Sequence, residues 1–233
     1  MSNDRSFKRL AGWAAIVSAP LAFASVVLSL APVNFDFEAF TDASLAIQKS
    51  AGQGDLIRWS WVLDVLGYYL LLLPLALFMW NWLKPRNPNL VTLFTLCGLG
   101  YLFFGALGAA IFAAVLSTVA DAYAQATGVA KQTQEALYVT FSDAVMGGVW
   151  STLNALLSAA WWLGIGAFLQ SERRVLGWVT IVLGAIIAVS WVGTITDLQG
   201  LIAITVPLYL LIAPLWALWL GIVLLRMPVP TEG

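Results

Sequence analysis

Residues 70–99 read LLLLPLALFMWNWLKPRNPNLVTLFTLCGL. Two apolar runs flank a short turn, Lys84-Pro85-Arg86-Asn87-Pro88, and neither run carries a charge. Each run extends outward to at least 20 residues, the length that a helix needs to cross the roughly 30 Å of bilayer hydrocarbon. Both prolines of the turn forbid a continuous helix through it. The stretch therefore reads as a transmembrane helical hairpin closed by a basic turn.

The same grammar covers the rest of the chain. Apolar segments fall at about 10–31, 59–83, 90–119, 141–169, 175–196 and 201–225. A second basic turn, Ser171-Glu172-Arg173-Arg174, joins the fourth to the fifth. Of the 11 Lys and Arg residues, eight lie at alternate segment ends: Arg5, Lys8, Arg9, Lys84, Arg86, Arg173, Arg174 and Arg226. The opposite ends hold Lys49, Arg58 and Lys131, together with Asp36, Glu38, Asp42, Asp55, Asp121, Glu135, Asp143 and Asp197. Translocation leaves basic residues inside, so the pattern predicts one all-α domain, a six-span transmembrane bundle with both termini cytoplasmic. The signal-peptide alternative, suggested by Arg5, Lys8, Arg9 and Ala22-Phe23-Ala24, is disfavoured because the run from Leu10 to Ala31 is too long for an h-region. It is expected to remain as the first helix.

Composition agrees. The chain of 233 residues is 61% hydrophobic and 10% charged, with a mean hydropathy of +0.89. A soluble domain of this size needs more polar surface. No basic patch suggests nucleic acid. The chain has no His, which removes the commonest general base and metal ligand. The single Cys97 lies inside an apolar segment and reads as a small core residue. No cofactor or metal is implied. The outer carboxylates lack the tight D-x-D-x-D spacing of a calcium loop.

Two outer loops, 32–58 and 120–140, are longer than the basic turns. In the first, Phe37, Phe40, Leu45 and Ile47 alternate with Glu38, Asp42 and Lys49, which predicts a short surface helix that breaks at Gly52 and Gly54. In the second, Gly128 is the main breaker, so helices three and four are expected to project past the membrane around a turn there. The tail from Pro228 to Gly233 is expected to be loose. Gly98, Gly105, Ala106, Ala109, Ala110 and Ala113 on helix three, and Gly147, Gly148, Ala155, Ala159 and Ala160 on helix four, predict a close backbone contact between that pair. Pro20, Pro74, Pro207 and Pro214 lie inside spans and should bend helices one, two and six.

The first and last hairpins share R-x-x-G-W-x-x-I-V, starting at Arg9 and at Arg174. They also share Y-L-L-x-x-P-L, starting at Tyr69 and at Tyr209. A parallel duplication explains both; so do chance matching of Leu-rich helices and generic interface anchoring.

Asp64 is the acid placed clearly inside a span, roughly 7 Å below Trp59 at about 1.5 Å per residue. It should face the bundle and meet a partner. Arg58, Tyr68, Asp143, Asn154, Asp197 and Gln199 fall near enough in level to line an outward-facing polar pocket with it. Such a set reads as an ion-pair and hydrogen-bond clasp between helix ends, as a ligand or ion site, or as unconnected residues. No catalytic residue is assigned, since nothing in the spacing of Asp64 and Asp143 brings them together as an acid–base pair. Of the 12 Trp, Trp13, Trp80, Trp82 and Trp178 mark the inner interface and Trp59, Trp61 and Trp191 the outer one. Trp150, Trp161, Trp162, Trp216 and Trp219 fall deeper, as packing, lipid-facing or ligand-facing residues.

The chain resembles, over about residues 8–226, a bacterial family of six-helix membrane proteins defined only as a domain of unknown function. The resemblance rests on Arg9-Leu10-Ala11-Gly12, the Gly/Ala-rich helix three with its polar outer loop, the turn from Ser171 to Trp178, and Pro214-Leu-Trp-Ala-Leu-Trp219-Leu-Gly221. It implies a fold and a bacterial inner membrane, and no activity. Three functional readings are open at this point. The first is a non-enzymatic accessory subunit, or a binder of a small or lipidic molecule in the outer half of the bundle. The second is a small transporter or channel subunit using Asp64. The third is an enzyme acting on a lipid head group. The apolar inner halves of the spans disfavour a through-pathway, and the lack of His disfavours the enzyme. Expected partners are the lipid bilayer, and other membrane subunits or a second copy, with no nucleic acid.

Overall fold

A computed structural model describes residues 2–227 except 37, 40 and 41, with side chains from Arg5 onward. Among the described residues the chain is helical throughout, with no strand. Helix α1 runs Ser2–Leu30 and ends in a 3-10 turn, Ala31–Val33. The short α2 is Ala43–Ser50. Beyond it lie α3 (Gly54–Leu83), α4 (Pro88–Gln125), α5 (Gly128–Glu172), α6 (Arg174–Ile195) and α7 (Gln199–Arg226). All but α2 are long and apolar enough to cross a membrane, six in total.

Local chemistry sets the boundaries. Asn87 caps α4, its side chain accepting from the Leu90 N–H at 3.1 Å, with Pro88 in the first turn where a missing N–H costs nothing. Asp42 caps α2 by accepting from Ser44 and Leu45 N–H groups at 2.9 and 3.1 Å. This is the short surface helix that the sequence predicts; Phe37 and Phe40, expected to begin its apolar stripe, lie outside the described residues, as does the tail from Pro228. Between α4 and α5 the chain turns at Gly128 with φ +57°, so most of 120–140 is helix projecting from the bundle. Asp121 on that projection accepts from the Gly54 N–H at 2.9 Å and so caps α3 from across the fold.

Successive long helices pack side by side, and α7 returns to pack on α1, which closes a ring of six antiparallel neighbours. The ends are distinguishable by charge. At the basic end Lys8 Nζ donates to the Met227 carbonyl at 2.7 Å, and Arg86 pairs with Glu172, which ties the two basic turns together. The acidic end carries α2, the projecting α4–α5 turn and the α6–α7 turn at Asp197.

The close backbone contacts are not where composition placed them. A Cβ on Gly221 would lie 2.7 Å from the Gly12 carbonyl, one on Gly67 would lie 2.4 Å from Ala22 N, and one on Gly177 would lie 2.4 Å from Gln170 N. These join α1 to α7, α1 to α3 and α5 to α6. Three of the four glycines of α4 hold rings instead: Gly98 faces the Trp161 indole, Gly105 the Tyr69 ring and Gly108 the Trp150 indole, while Gly100 faces the Leu157 side chain. Helices α4 and α5 do pack together, through aromatic rings seated in gaps, and Gly147 and Gly148 have open space where a Cβ would go. Gly12 and Gly177, equivalent in the R-x-x-G-W match, each face the helix that precedes their own in the ring, α7 and α5 respectively.

Two helices are interrupted by π segments that hydropathy and spacing do not announce, Val65–Tyr69 in α3 and Ala144–Asn154 in α5. A 3-10 turn, Leu70–Leu72, follows the first, so Pro74 opens the α-helix Leu73–Leu83 rather than bending one. Pro20, Pro207 and Pro214 lie inside continuous helices.

Candidate functional site

The middle of the ring is aromatic. Trp161, Trp162 and Trp216 are fully buried, with Trp162 and Trp216 centroids 4.5 Å apart and Trp161 stacked on Tyr101 at 5.8 Å. Trp216 Nε1 donates to Thr180 Oγ1 at 2.7 Å; the indole N–H groups of Trp161 and Trp162 have no acceptor among the described residues. These five aromatic and hydroxyl groups belong to α4, α5, α6 and α7, so the cluster is packing that locks the bundle.

Just toward the acidic end lies a polar layer. The Tyr68 hydroxyl donates to the Leu210 carbonyl at 2.8 Å. That carbonyl is available because Pro214, four residues on, has no N–H to give it. Tyr101 and Tyr209 hydroxyls are 2.7 Å apart, and Tyr101 lies 3.3 Å from the Tyr68 carbonyl. Both contacts are satisfied when Tyr209 donates to Tyr101 and Tyr101 donates to Tyr68. Asn154, at the end of the second π segment, donates to the Tyr101 carbonyl at 2.7 Å, and Trp150 donates to the Gly105 carbonyl at 3.2 Å. The π segments set these directions: an extra residue in a turn rotates the succeeding helix and releases carbonyls from the i−4 ladder.

Asp64 adjoins this layer, within electrostatic range of Tyr68, Tyr69, Tyr101 and Tyr209. It is buried, and its Oδ2 has no hydrogen-bond partner among the described residues. The expected partners are engaged elsewhere. Arg58 Nη1 lies 3.5 Å from Asp55 Oδ1 at the exposed start of α3, and Tyr68 is given to Leu210. Asp197 accepts from Gln199 Nε2 at 2.7 Å in the exposed α6–α7 turn. Asp143 is on the exposed part of α5. The seven residues that the sequence grouped therefore fall into separate places: Tyr68 and Asn154 in the polar layer with Asp64 beside it, Arg58 and the Asp197–Gln199 pair on the surface, and Asp143 at a cavity.

That cavity, about 140 Å³, opens at the acidic end between the end of α1, α2, α3, α4 and α5. It has roughly ten times the 10–15 Å³ that one water needs. Trp61 and Phe112 form its apolar wall, their centroids 4.8 Å apart and each within 5.4 Å of Trp150 behind them. Ala43 and Ala46 of α2 cover one side, and Tyr138, Ser142 and Asp143 of α5 another. The hydroxyls of Ser29, Ser50 and Ser60 also line it; each donates to a carbonyl of its own helix, at 2.9, 2.7 and 2.8 Å. Their protons are thus spent, and they offer the cavity only lone pairs.

The α2 lid is held electrostatically as well as by its cap. Asp36 pairs with Lys49, and the hydrogen bond from that ammonium holds the carboxyl below its usual range. Ser44 of α2 donates to Glu135 of α5. Sequence reasoning placed Asp143 in an outward-facing polar pocket with six other residues, none of which lines this cavity, and named Trp61 only as an interface residue; the cavity's walls come from five elements, and α2 carries only generic amphipathicity. Tyr101 and Tyr209 were missed, although hydroxyl-bearing rings deep in apolar spans, and a proline four residues after Leu210, were signals available in the chain. Comparison with protein-family models, curated proteins and solved structures finds no match.

Proposed function

We propose that this chain is a non-enzymatic integral membrane protein that binds a small or lipidic molecule in the cavity at its acidic end. It would work as a binding or accessory subunit in a bacterial cytoplasmic membrane, with both termini cytoplasmic and the cavity facing out. One observation carries the reading: the cavity of about 140 Å³ between α1, α2, α3, α4 and α5, with an aromatic wall, hydroxyl acceptors and a carboxylate. Such convergence of a few polar groups on an apolar concavity is the usual form of a ligand site. The orientation is supported by the eight-to-three partition of basic residues. Bacterial membership rests on the resemblance in Arg9–Gly12, Ser171–Trp178 and Pro214–Gly221.

Purification in mild detergent followed by mass spectrometry of co-purifying small molecules tests the reading. The wild type should carry a molecule that Ala46→Trp, which fills the cavity from the lid, loses while keeping its helical content. An identical small-molecule profile in both overturns it. Asp64 favours a second reading, a transporter or channel subunit, because a buried carboxyl without a partner beside a π segment is a common mark of an ion pathway. Ion flux into proteoliposomes that Asp64→Asn abolishes would support that role, and flux equal in both proteins or absent from both would end it.

A further inference from the structure

The cavity's lining is one-sided in its chemistry. No Lys or Arg lines it among the described residues, so an anionic ligand has no charge partner there. The three ion pairs among those residues are Lys49–Asp36, Arg58–Asp55 and Arg86–Glu172, and Lys131 sits 4.5 Å over the Tyr123 ring. The basic residues nearest the acidic end are therefore occupied. Asp143, which lines the cavity, has no ion-pair partner among them. Three aromatic residues, Trp61, Phe112 and Tyr138, share the lining with it. Ring faces carry negative potential and attract cations, Trp most strongly. The hydroxyls of Ser29, Ser50 and Ser60 add acceptors, their protons being given to their own helices; Ser142 and Tyr138 add two further hydroxyls to the lining.

We propose that the ligand of this cavity is a small organic ammonium cation, with its charged head between Asp143 and the Trp61, Phe112 and Tyr138 rings. The assignment rests on the reading of the cavity as a binding site and adds the chemical class. An ammonium head uses the carboxylate and the rings together, and a neutral apolar molecule uses the rings alone. The head can come from solution, as choline does, or from a lipid.

The test is a titration of the purified full-length protein, read by calorimetry and by thermal shift. The probes are choline, tetramethylammonium and 3,3-dimethylbutan-1-ol, the uncharged isostere of choline. Choline and tetramethylammonium should bind at least about tenfold more tightly than the isostere. Asp143→Asn, at an exposed position where folding is not at risk, should remove most of that difference. Trp61→Phe should weaken the cations and leave the isostere within about twofold, following ring strength. Equal binding of isostere and cations overturns the cation assignment while the cavity remains a binding site. Binding of no probe, with no thermal shift in phosphatidylcholine nanodiscs over phosphatidylglycerol ones and a co-purified molecule still lost in Ala46→Trp, also overturns it and leaves the broader reading standing. The source is read in nanodiscs: a thermal shift in phosphatidylcholine over phosphatidylglycerol, without one from free choline, assigns a lipid head group. A shift from free choline in both assigns a soluble ion.

Discussion

At the scale of single residues, Asp64 and Tyr68 are four apart on one helix and have opposite situations. Tyr68 has a partner that the sequence itself creates, since Pro214 cannot donate to the Leu210 carbonyl. Tyr68→Phe leaves that carbonyl without a donor and should lower stability by about 0.5–1.5 kcal/mol, measured by thermal or denaturant unfolding in detergent. Asp64 has no such partner, and a carboxyl in an apolar surrounding without hydrogen bonds is unfavourable. Asp64→Leu should therefore raise stability, on the order of 1–3 kcal/mol. A loss of stability instead would mean that Asp64 belongs to a clasp. The position of Asp64 inside a span was legible from its apolar flanks, because burial follows from hydropathy along one segment. Its isolation was not, because that depends on where Arg58 and Tyr68 point, and the π segment from Val65 to Tyr69 decides the second. Nothing in Val-Leu-Gly-Tyr-Tyr requires a π turn.

Among the helices, small residues do two different jobs that composition alone does not separate. On α1, α6 and α7 they let backbones approach, as Gly12 does with Gly221. On α4 they make seats for rings, and Gly105 is the tightest: a Cβ there would lie 1.9 Å from the Tyr69 ring. Gly105→Ala must displace a buried ring between helices and should cost about 1–3 kcal/mol. Gly147→Ala meets nothing within 4 Å and should leave stability unchanged, although both glycines belong to the small-residue stripes of the α4–α5 pair. Thermal unfolding of the two variants side by side checks this, and equal losses would mean that the ring-in-gap packing is wrong. The stripe was visible in the sequence as a spacing; the partner was not, because Tyr69 and Trp161 reach it from other helices. Helix ends were more legible, since Asn87-Pro88 and Asp42 are local signals that act through their own neighbours.

For the whole molecule, the six spans and the split between a basic and an acidic end are written in hydropathy and charge, which add along the chain and need no tertiary knowledge. The cavity is a tertiary product, formed where α2 folds back over α3, α4 and α5, and only Asp143 of the sequence's candidates reaches it. The proposed function depends on orientation: the cavity-bearing end must face outside, with both termini and both basic turns within. Cysteine accessibility in intact cells decides this, in a Cys97→Ala background, with a maleimide that cannot cross the membrane. Ser171→Cys is exposed in the turn between α5 and α6, and Gln132→Cys is exposed on the projecting part of α5. Gln132→Cys should label from outside at once, and Ser171→Cys should label only after the inner face is opened. Labelling of Ser171→Cys in intact cells, with Gln132→Cys protected, would contradict the proposed orientation and, with it, an outward-facing cavity.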